Sequence, residues 1–261
     1  MEVKDLLPHR TEVCLLIKKA FDTEFCGRII KRYRTKFKAA KTHYPTSYRN
    51  NQRFVADDPA LAESLFVEIK RILPKHLVGC GVSDVEKGEW KLLRLNERIR
   101  ICRYLPGQYF SKHLDGVHYH SESIQSKLTF MIYLNSSSEF RGGRTLFFAS
   151  KLDERIIGSY EPEEGDLIVF DHNLWHSGER LSSGEKYILR SDILYERISP
   201  ALSNVCGNFR EGHLGYIWNV VKGANFYFTA GRDKKIKVWN GKGEKLQELI
   251  GHKNSILCLL W

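Results

Sequence analysis

The chain has 261 residues, 42% of them hydrophobic and 28% charged, a balance that excludes a disordered or fibrous protein and suits one large domain with a real core. Lys and Arg outnumber Asp and Glu by 41 to 31, with much of the excess before residue 80 in runs such as 31–38. No nucleic-acid motif accompanies that charge, so a solvated helix face is its simplest reading, with an anionic partner as the alternative.

The first apolar run, Val13 to Ile17, is too short for a signal-peptide core or a membrane span and reads as a buried strand. Asp22-Thr23-Glu24 then carries the carboxylates of a helix start, and the helix is expected to reach about Lys36. A polar loop follows over about 42–52. Asp57-Asp58-Pro59 opens a second helix whose Leu61, Leu65, Ile69 and Ile72 form one stripe suited to packing on a sheet.

From Trp90 the pattern changes to short β-branched and aromatic runs separated by Gly, Asp and Ser clusters. These are Ile99 to Tyr104, Leu128 to Leu134, Thr145 to Phe148, Leu167 to Phe170 and Tyr187 to Tyr195. Such patterning predicts a mainly β fold, a sandwich or jelly roll, with the N-terminal helices as support. The expected division is a support over 1–98, a core over 99–198, a Pro/Ser/Asn/Gly-bearing linker over 199–211 and a separate segment over 212–261. The six scattered cysteines include no C-x-x-C pair, which argues against a zinc knuckle or a secreted disulfide framework. A cytoplasmic or nuclear protein is expected.

The chemistry concentrates at His113-Leu114-Asp115. In an extended segment residues i and i+2 share a face, so both side chains can address one ion while a distant strand supplies a third ligand. Two histidines and a carboxylate leave coordination positions open, the donor set of non-haem Fe(II) oxygenases rather than of tetrahedral zinc. The motif alone is weak, but its surroundings are not. Tyr104, Gly107, His113 and Asp115 are followed by Thr129-Phe130-Met131-Ile132-Tyr133-Leu134-Asn135 and by Gly142-Gly143-Arg144-Thr145-Leu146-Phe147. Then come Glu164-Gly165-Asp166-Leu167-Ile168-Val169-Phe170, a histidine, and Gly184-Glu185-Lys186.

In that order these motifs resemble the prolyl 4-hydroxylase-like branch of the 2-oxoglutarate and Fe(II)-dependent dioxygenases, over about residues 95–195. The resemblance implies a double-stranded β-helix, with Fe(II) held by His113, Asp115 and His176. It makes 2-oxoglutarate the cosubstrate and O2 the oxidant, with ascorbate a further candidate. His176 is preferred to His172, His118 and His120 because Lys186 stands ten residues after it, as in the family, where that basic residue binds the distal carboxylate of 2-oxoglutarate. Tyr104 and Tyr133 match positions that offer phenolic hydroxyls to the cosubstrate, although either can equally be a core tyrosine. Lys186 and Arg190 share a strand face but lie roughly 13 Å apart along it, so they do not share one carboxylate. Arg190 is left to line the barrel or to pair with Asp192 or another acid.

Gly212-His213, Asp233, Ile236-Lys237-Val238-Trp239 and a second Gly251-His252 resemble one WD repeat and the start of the next. Gly231 stands where relatives often carry a small hydroxyl residue. One blade cannot bury both its faces alone, so the segment implies a piece of a protein-docking propeller. With every candidate site residue before the linker, a chain ending near Arg197 is expected to be active.

The implied activity is hydroxylation of a prolyl or other side chain of a protein, releasing succinate and CO2. Two rivals remain: a non-catalytic interaction protein that works through the WD-repeat part, and a nucleic-acid demethylase suggested by the basic N-terminal half.

Overall fold

The computed structural model describes residues 1–39, 45, 47–79, 88–121, 123–198, 213, 217–223, 226–231, 233–254, 256 and 259. The linker expected over 199–211 lies outside them, as do Cys80, Cys206 and Cys258. Among the described residues no helix is long and apolar enough to cross a membrane.

The elements run β1 (Glu2–Asp5), β2 (Cys14–Lys18), α1 (Thr23–Tyr33), β3 (Lys38–Ala39), β4 (Gln52–Asp57), α2 (Pro59–Ile69), β5 (His76–Gly79), β6 (Gly88–Leu95) and β7 (Arg98–Tyr104). Next are β8 (Phe110–His113), β9 (Ile124–Tyr133), β10 (Phe140–Gly142), β11 (Thr145–Phe148), β12 (Ile156–Tyr160), β13 (Leu167–Asp171), β14 (Trp175–Gly178), β15 (Leu181–Gly184) and β16 (Lys186–Arg197). The chain closes with β17 (Ile217–Lys222), β18 (Phe226–Gly231), β19 (Lys235–Asn240) and β20 (Lys245–Ile250).

Both helices begin where the acidic residues place them. The Asp22 carboxylate accepts from Phe25 N–H at 2.7 Å and the Asp58 carboxylate from Leu61 N–H at 3.0 Å, satisfying N-terminal donors that have no partner within the helix. The first helix ends at Tyr33 with Arg34 as its cap, short of the expected Lys36. In the second, Leu65 and Ile69 are buried, while Ile72 lies beyond the helix end.

A large sheet runs β1-β2-β13-β9-β16-β7-β4-β3, with β6 beside β16 and β5 beside β6. A four-stranded sheet runs β12-β11-β14-β8, and β10 pairs with β15. Its strands explain why the apolar runs are continuous rather than alternating. Leu15, Phe130, Ile132, Leu167, Val169 and Leu189 join one buried cluster that includes Cys26, Ile29, Leu65 and Ile69 of the two helices. Their neighbours Cys14, Leu16, Met131, Tyr133, Ile168, Phe170 and Ile188 join a second cluster with Phe110 and Phe147 of the smaller sheet. The strands therefore carry helices on one face and a sheet on the other, the double burial that removes polar alternation. The N-terminal part supplies strands as well as helices, since β1 to β4 extend the large sheet.

Gly165 is a position that only glycine fits. Its φ is +79° and a Cβ there would lie 2.0 Å from the Phe21 carbonyl oxygen, at a turn tied down by a 3.0 Å hydrogen bond from Phe21 N–H to Gly165 O. Gly165→Ala is expected to cost more than about 1 kcal/mol, since both the backbone conformation and the space oppose it. Urea unfolding checks this, and an unchanged midpoint would contradict it.

The C-terminal strands form a four-stranded antiparallel meander, β17-β18-β19-β20. A chain of donors crosses it: Trp239 Nε1–H donates to Thr229 Oγ1 at 2.8 Å, Thr229 Oγ1 lies 2.7 Å from His213 Nε2, and His213 Nδ1 lies 2.7 Å from Asp233 Oδ1. The hydroxyl therefore comes from Thr229, not from position 231. A Cβ on Gly231 would sit 2.4 Å from His213 Nδ1, so the glycine makes room for the ring. Trp218 of β17, 3% exposed, enters the same buried cluster as Leu77 and Trp90. The meander thus shares core surface with the rest, and a chain cut near Arg197 uncovers it.

Candidate metal centre

The two histidines sit opposite each other on neighbouring strands of the smaller sheet, because β8 and β14 pair with His176 in register with His113. Directly opposed residues hold their side chains close, and here the ring centres are 4.2 Å apart. His113 Nδ1 lies 2.7 Å from the Ser111 carbonyl and His176 Nδ1 lies 2.9 Å from the Leu174 carbonyl. A ring nitrogen facing a carbonyl must carry the proton, which leaves each Nε2 as a free lone pair. Phe110 stacks on His113 with 3.6 Å between centres, and Phe170 meets His176 edge-on at 4.6 Å, locking both rings.

Asp115 follows two residues after β8. Its Oδ1 is 3.5 Å from His113 Nε2 and its Oδ2 is 3.6 Å from His176 Nε2. The large sheet holds it there. Thr129 of β9 donates its hydroxyl to Oδ2 at 2.5 Å, and Arg190 of β16 places Nη2 2.5 Å from Oδ1. One sheet thus supplies the nitrogen donors and the other fixes the carboxylate.

A donor atom from each of the three residues lies within 4.8 Å of the other two, and His113 Nε2 is buried without a hydrogen-bond partner. An orphaned lone pair in a buried site is costly unless something accepts it. Two neutral imidazoles and one carboxylate fit a first-row divalent cation such as Fe(II). Burial pushes the His176 imidazolium down to about 3, so the ring is neutral at physiological pH. Burial would raise the Asp115 carboxyl, but Arg190 and the two histidines overcome it and hold it well below the usual carboxylate range. Both are the protonation states a metal ligand needs.

His172 is elsewhere: it is buried with Nδ1 3.5 Å from Ser126 Oγ and Nε2 3.9 Å from Asp192 Oδ1. His118 is half-buried and His120 is exposed beside Arg94. Asp192 is taken by Arg100 at 2.9 Å, so the acid that Arg190 meets is Asp115.

Beside the triad a cavity is lined by His113, His176, Tyr104, Thr145, Lys186 and Arg190, among others. Lys186 is 4% exposed and stands in register with Tyr104. Its ammonium donates to the Gly143 carbonyl and lies 5.6 Å and 5.4 Å from the ring centres of Tyr104 and Tyr133. Among the described residues no carboxylate pairs with it, and burial pushes its pKa down to about 8. The Tyr133 hydroxyl is 2.7 Å from Thr145 Oγ1, and it is the threonine that faces the cavity. Sequence motifs singled out the triad and Lys186 and contained Thr129 and Thr145 without giving either a role, while Arg49 lies in no motif.

Residues 99–191 match the family model described as the 2OG-Fe(II) oxygenase superfamily. A protein of Acanthamoeba polyphaga mimivirus, provisionally named a prolyl 4-hydroxylase, is 32% identical over 111 residues, which covers 35% of this chain and 42% of the viral protein. The chain therefore spans under half the length of that curated relative. Among solved structures, a Pseudomonas putida prolyl-4-hydroxylase aligns at 16% identity and TM-score 0.46, covering 72% of this chain and 95% of its own. A Trichoplax adhaerens prolyl hydroxylase, solved with a hypoxia inducible factor peptide fragment, aligns at 13% identity and TM-score 0.48, covering 70% and 83%. The stretch from 99 to 191, with its paired histidines and the carboxylate between them, is similar to the 2OG-Fe(II) oxygenase superfamily, a family that uses Fe(II), 2-oxoglutarate and O2.

Proposed function

We propose that the chain is an Fe(II)- and 2-oxoglutarate-dependent dioxygenase that hydroxylates a prolyl or other side chain of a polypeptide, with release of succinate and CO2. The observation that carries this reading is the His113, Asp115 and His176 cluster opening on the cavity lined by Lys186, with which no carboxylate pairs among the described residues. The polypeptide substrate is supported by the viral relative's name.

Fe(II) bound at the triad supplies the oxygen-activating chemistry, coupled to decarboxylation of the 2-oxo acid. The residues do the rest. His113 and His176 present neutral nitrogens, while Thr129 and Arg190 hold Asp115 in place. Lys186 binds the far carboxylate of 2-oxoglutarate and so sets its direction, with Tyr104 and Thr145 as the polar wall around it and Tyr133 behind, its hydroxyl on Thr145. Phe110, Met131 and Phe170 exclude water from the reacting end.

The C-terminal meander we read as one blade of the WD type, supported by the Trp239, Thr229, His213 and Asp233 hydrogen-bond chain. Proteins would be its partners.

The test is succinate formation from 2-oxoglutarate with Fe(II) and O2, screened against peptide pools. Peptide-stimulated succinate with a hydroxylated product is expected. Stimulation by methylated nucleic acid instead would replace the substrate class, and no turnover would reject the enzyme reading.

Lys186 also predicts a pH dependence. Its ammonium form binds the carboxylate, and its pKa in the free protein is depressed to about 8. Affinity for 2-oxoglutarate is therefore full below about pH 8 and falls by up to about tenfold per pH unit above it. Calorimetric Kd values across that range check this, with Lys186→Arg expected to remove the fall. A flat wild-type profile would take Lys186 out of the role.

A further inference from the structure

Arg49 lies outside the stretch matched by the family model, yet it lines the same cavity as His113, His176 and Lys186 and is only 5% exposed. A backbone bridge to Phe110 fixes its place beside the smaller sheet. Its Nε donates to Asn51 Oδ1 at 2.6 Å, its Nη2 lies 3.4 Å from Cys102 Sγ, and its Cζ lies 4.4 Å from the Phe110 ring centre. These partners are an amide, a thiol and an aromatic face. Among the described residues no carboxylate pairs with Arg49.

A guanidinium stays charged, and a buried charge without a counter-ion is unfavourable. The other two cations of the cavity have their anions assigned. Arg190 is paired with Asp115, and Lys186 awaits the far carboxylate of the cosubstrate. Arg49 is the cation left over, and it lines the cavity together with Tyr104, which stands in register with Lys186. Phe110 carries Arg49 against its ring and stacks on His113, so the guanidinium is one aromatic layer removed from a metal ligand.

Resting on the reading of this cavity as a 2-oxoglutarate site, we propose that Arg49 binds the carboxylate next to the keto carbon of the 2-oxo acid. The anion comes from the cosubstrate rather than from a polypeptide, because so buried a side chain is reached by a small diffusing acid and not by a folded chain. The guanidinium fork suits a planar carboxylate. Lys186 and Arg49 then divide the work: Lys186 selects for the second carboxylate, and Arg49 for the 2-oxo acid end.

The experiment is calorimetry on the full chain loaded with Mn(II), titrated with 2-oxoglutarate and with 2-oxopentanoate, the same keto acid without its far carboxylate. Arg49→Gln is expected to weaken both acids by about tenfold or more, the size of a charge-assisted hydrogen bond. Lys186→Ala should weaken 2-oxoglutarate alone. Wild-type affinity of Arg49→Gln for both acids, with Mn(II) binding and melting temperature retained, overturns the proposal. Should Arg49→Gln lose its fold, Arg49→Lys replaces it: the charge remains, the fork is lost, and unchanged affinity for both acids overturns the proposal equally. If the wild type binds Mn(II) but no 2-oxoglutarate, the cosubstrate reading of the cavity falls, and the role of Arg49 with it.

Discussion

His113→Ala and His176→Ala are each expected to abolish 2-oxoglutarate turnover and to weaken Mn(II) or Co(II) binding by more than about a hundredfold. Groups that merely orient metal ligands are worth about 10–100-fold in affinity, so removing a ligand costs more. Neither change should unfold the domain, because each leaves a small gap lined by Phe110 or Phe170 rather than an unpaired charge. Asp115→Ala is different. It strands the Arg190 guanidinium, which is paired with Asp115 at 2.5 Å, and loss of one member of a buried ion pair costs about 3–5 kcal/mol. Asp115→Asn is the gentler version and should lose the metal while keeping more of the fold. His172→Ala is the comparison, expected to retain metal binding. Metal titration and circular dichroism on the five variants decide the assignment. Retention of metal by His176→Ala with its loss in His172→Ala would move the distal ligand to 172.

Lys186→Ala and Arg190→Ala should fail in different ways. The first removes one charge-assisted contact to the far carboxylate, worth about 1.5–3 kcal/mol, and so raises the Kd for 2-oxoglutarate by about 10–100-fold. The second leaves Asp115 buried with Thr129 as its remaining partner, and its defect appears in the metal-free protein as lost stability. Added Mn(II) should restore much of that loss, since a bound cation takes over the neutralising role of the guanidinium. Melting temperatures with and without Mn(II), beside 2-oxoglutarate titrations, separate the two. If Arg190→Ala weakened 2-oxoglutarate more than Lys186→Ala did, the far carboxylate would belong to Arg190.

Much was legible in one dimension because local periodicity carries it. Asp22 and Asp58 cap helices through donors three residues away, and the short apolar runs at Leu167 and Leu128 form strands buried on both faces. His113 and Asp115, two apart, share a face because side chains alternate along an extended segment. Their chemistry follows from residue type and spacing. What covers each face of those strands does not: Phe130 and Met131 are equally apolar, yet one packs under the helices and the other against the smaller sheet.

Partnerships across strands were decided only by the fold. Alternation tells that Arg190 and Asp192 point the same way, but not that Asp192 meets Arg100 while Arg190 reaches Asp115, 75 positions earlier. Thr229 and Gly231 likewise share a face. Depth, not face, determines which of them meets His213, and the missing Cβ of Gly231 is what lets the ring sit. Arg49 carries no motif, and its meeting with Phe110 and Cys102 depends on which loop closes the barrel. By itself the sequence carried the main core strands and the candidate metal donors in their order along the chain. Sheet order and packing depth, which depend on contacts between segments far apart in the chain, decided which charges neutralise one another, and those pairings shape the cavity.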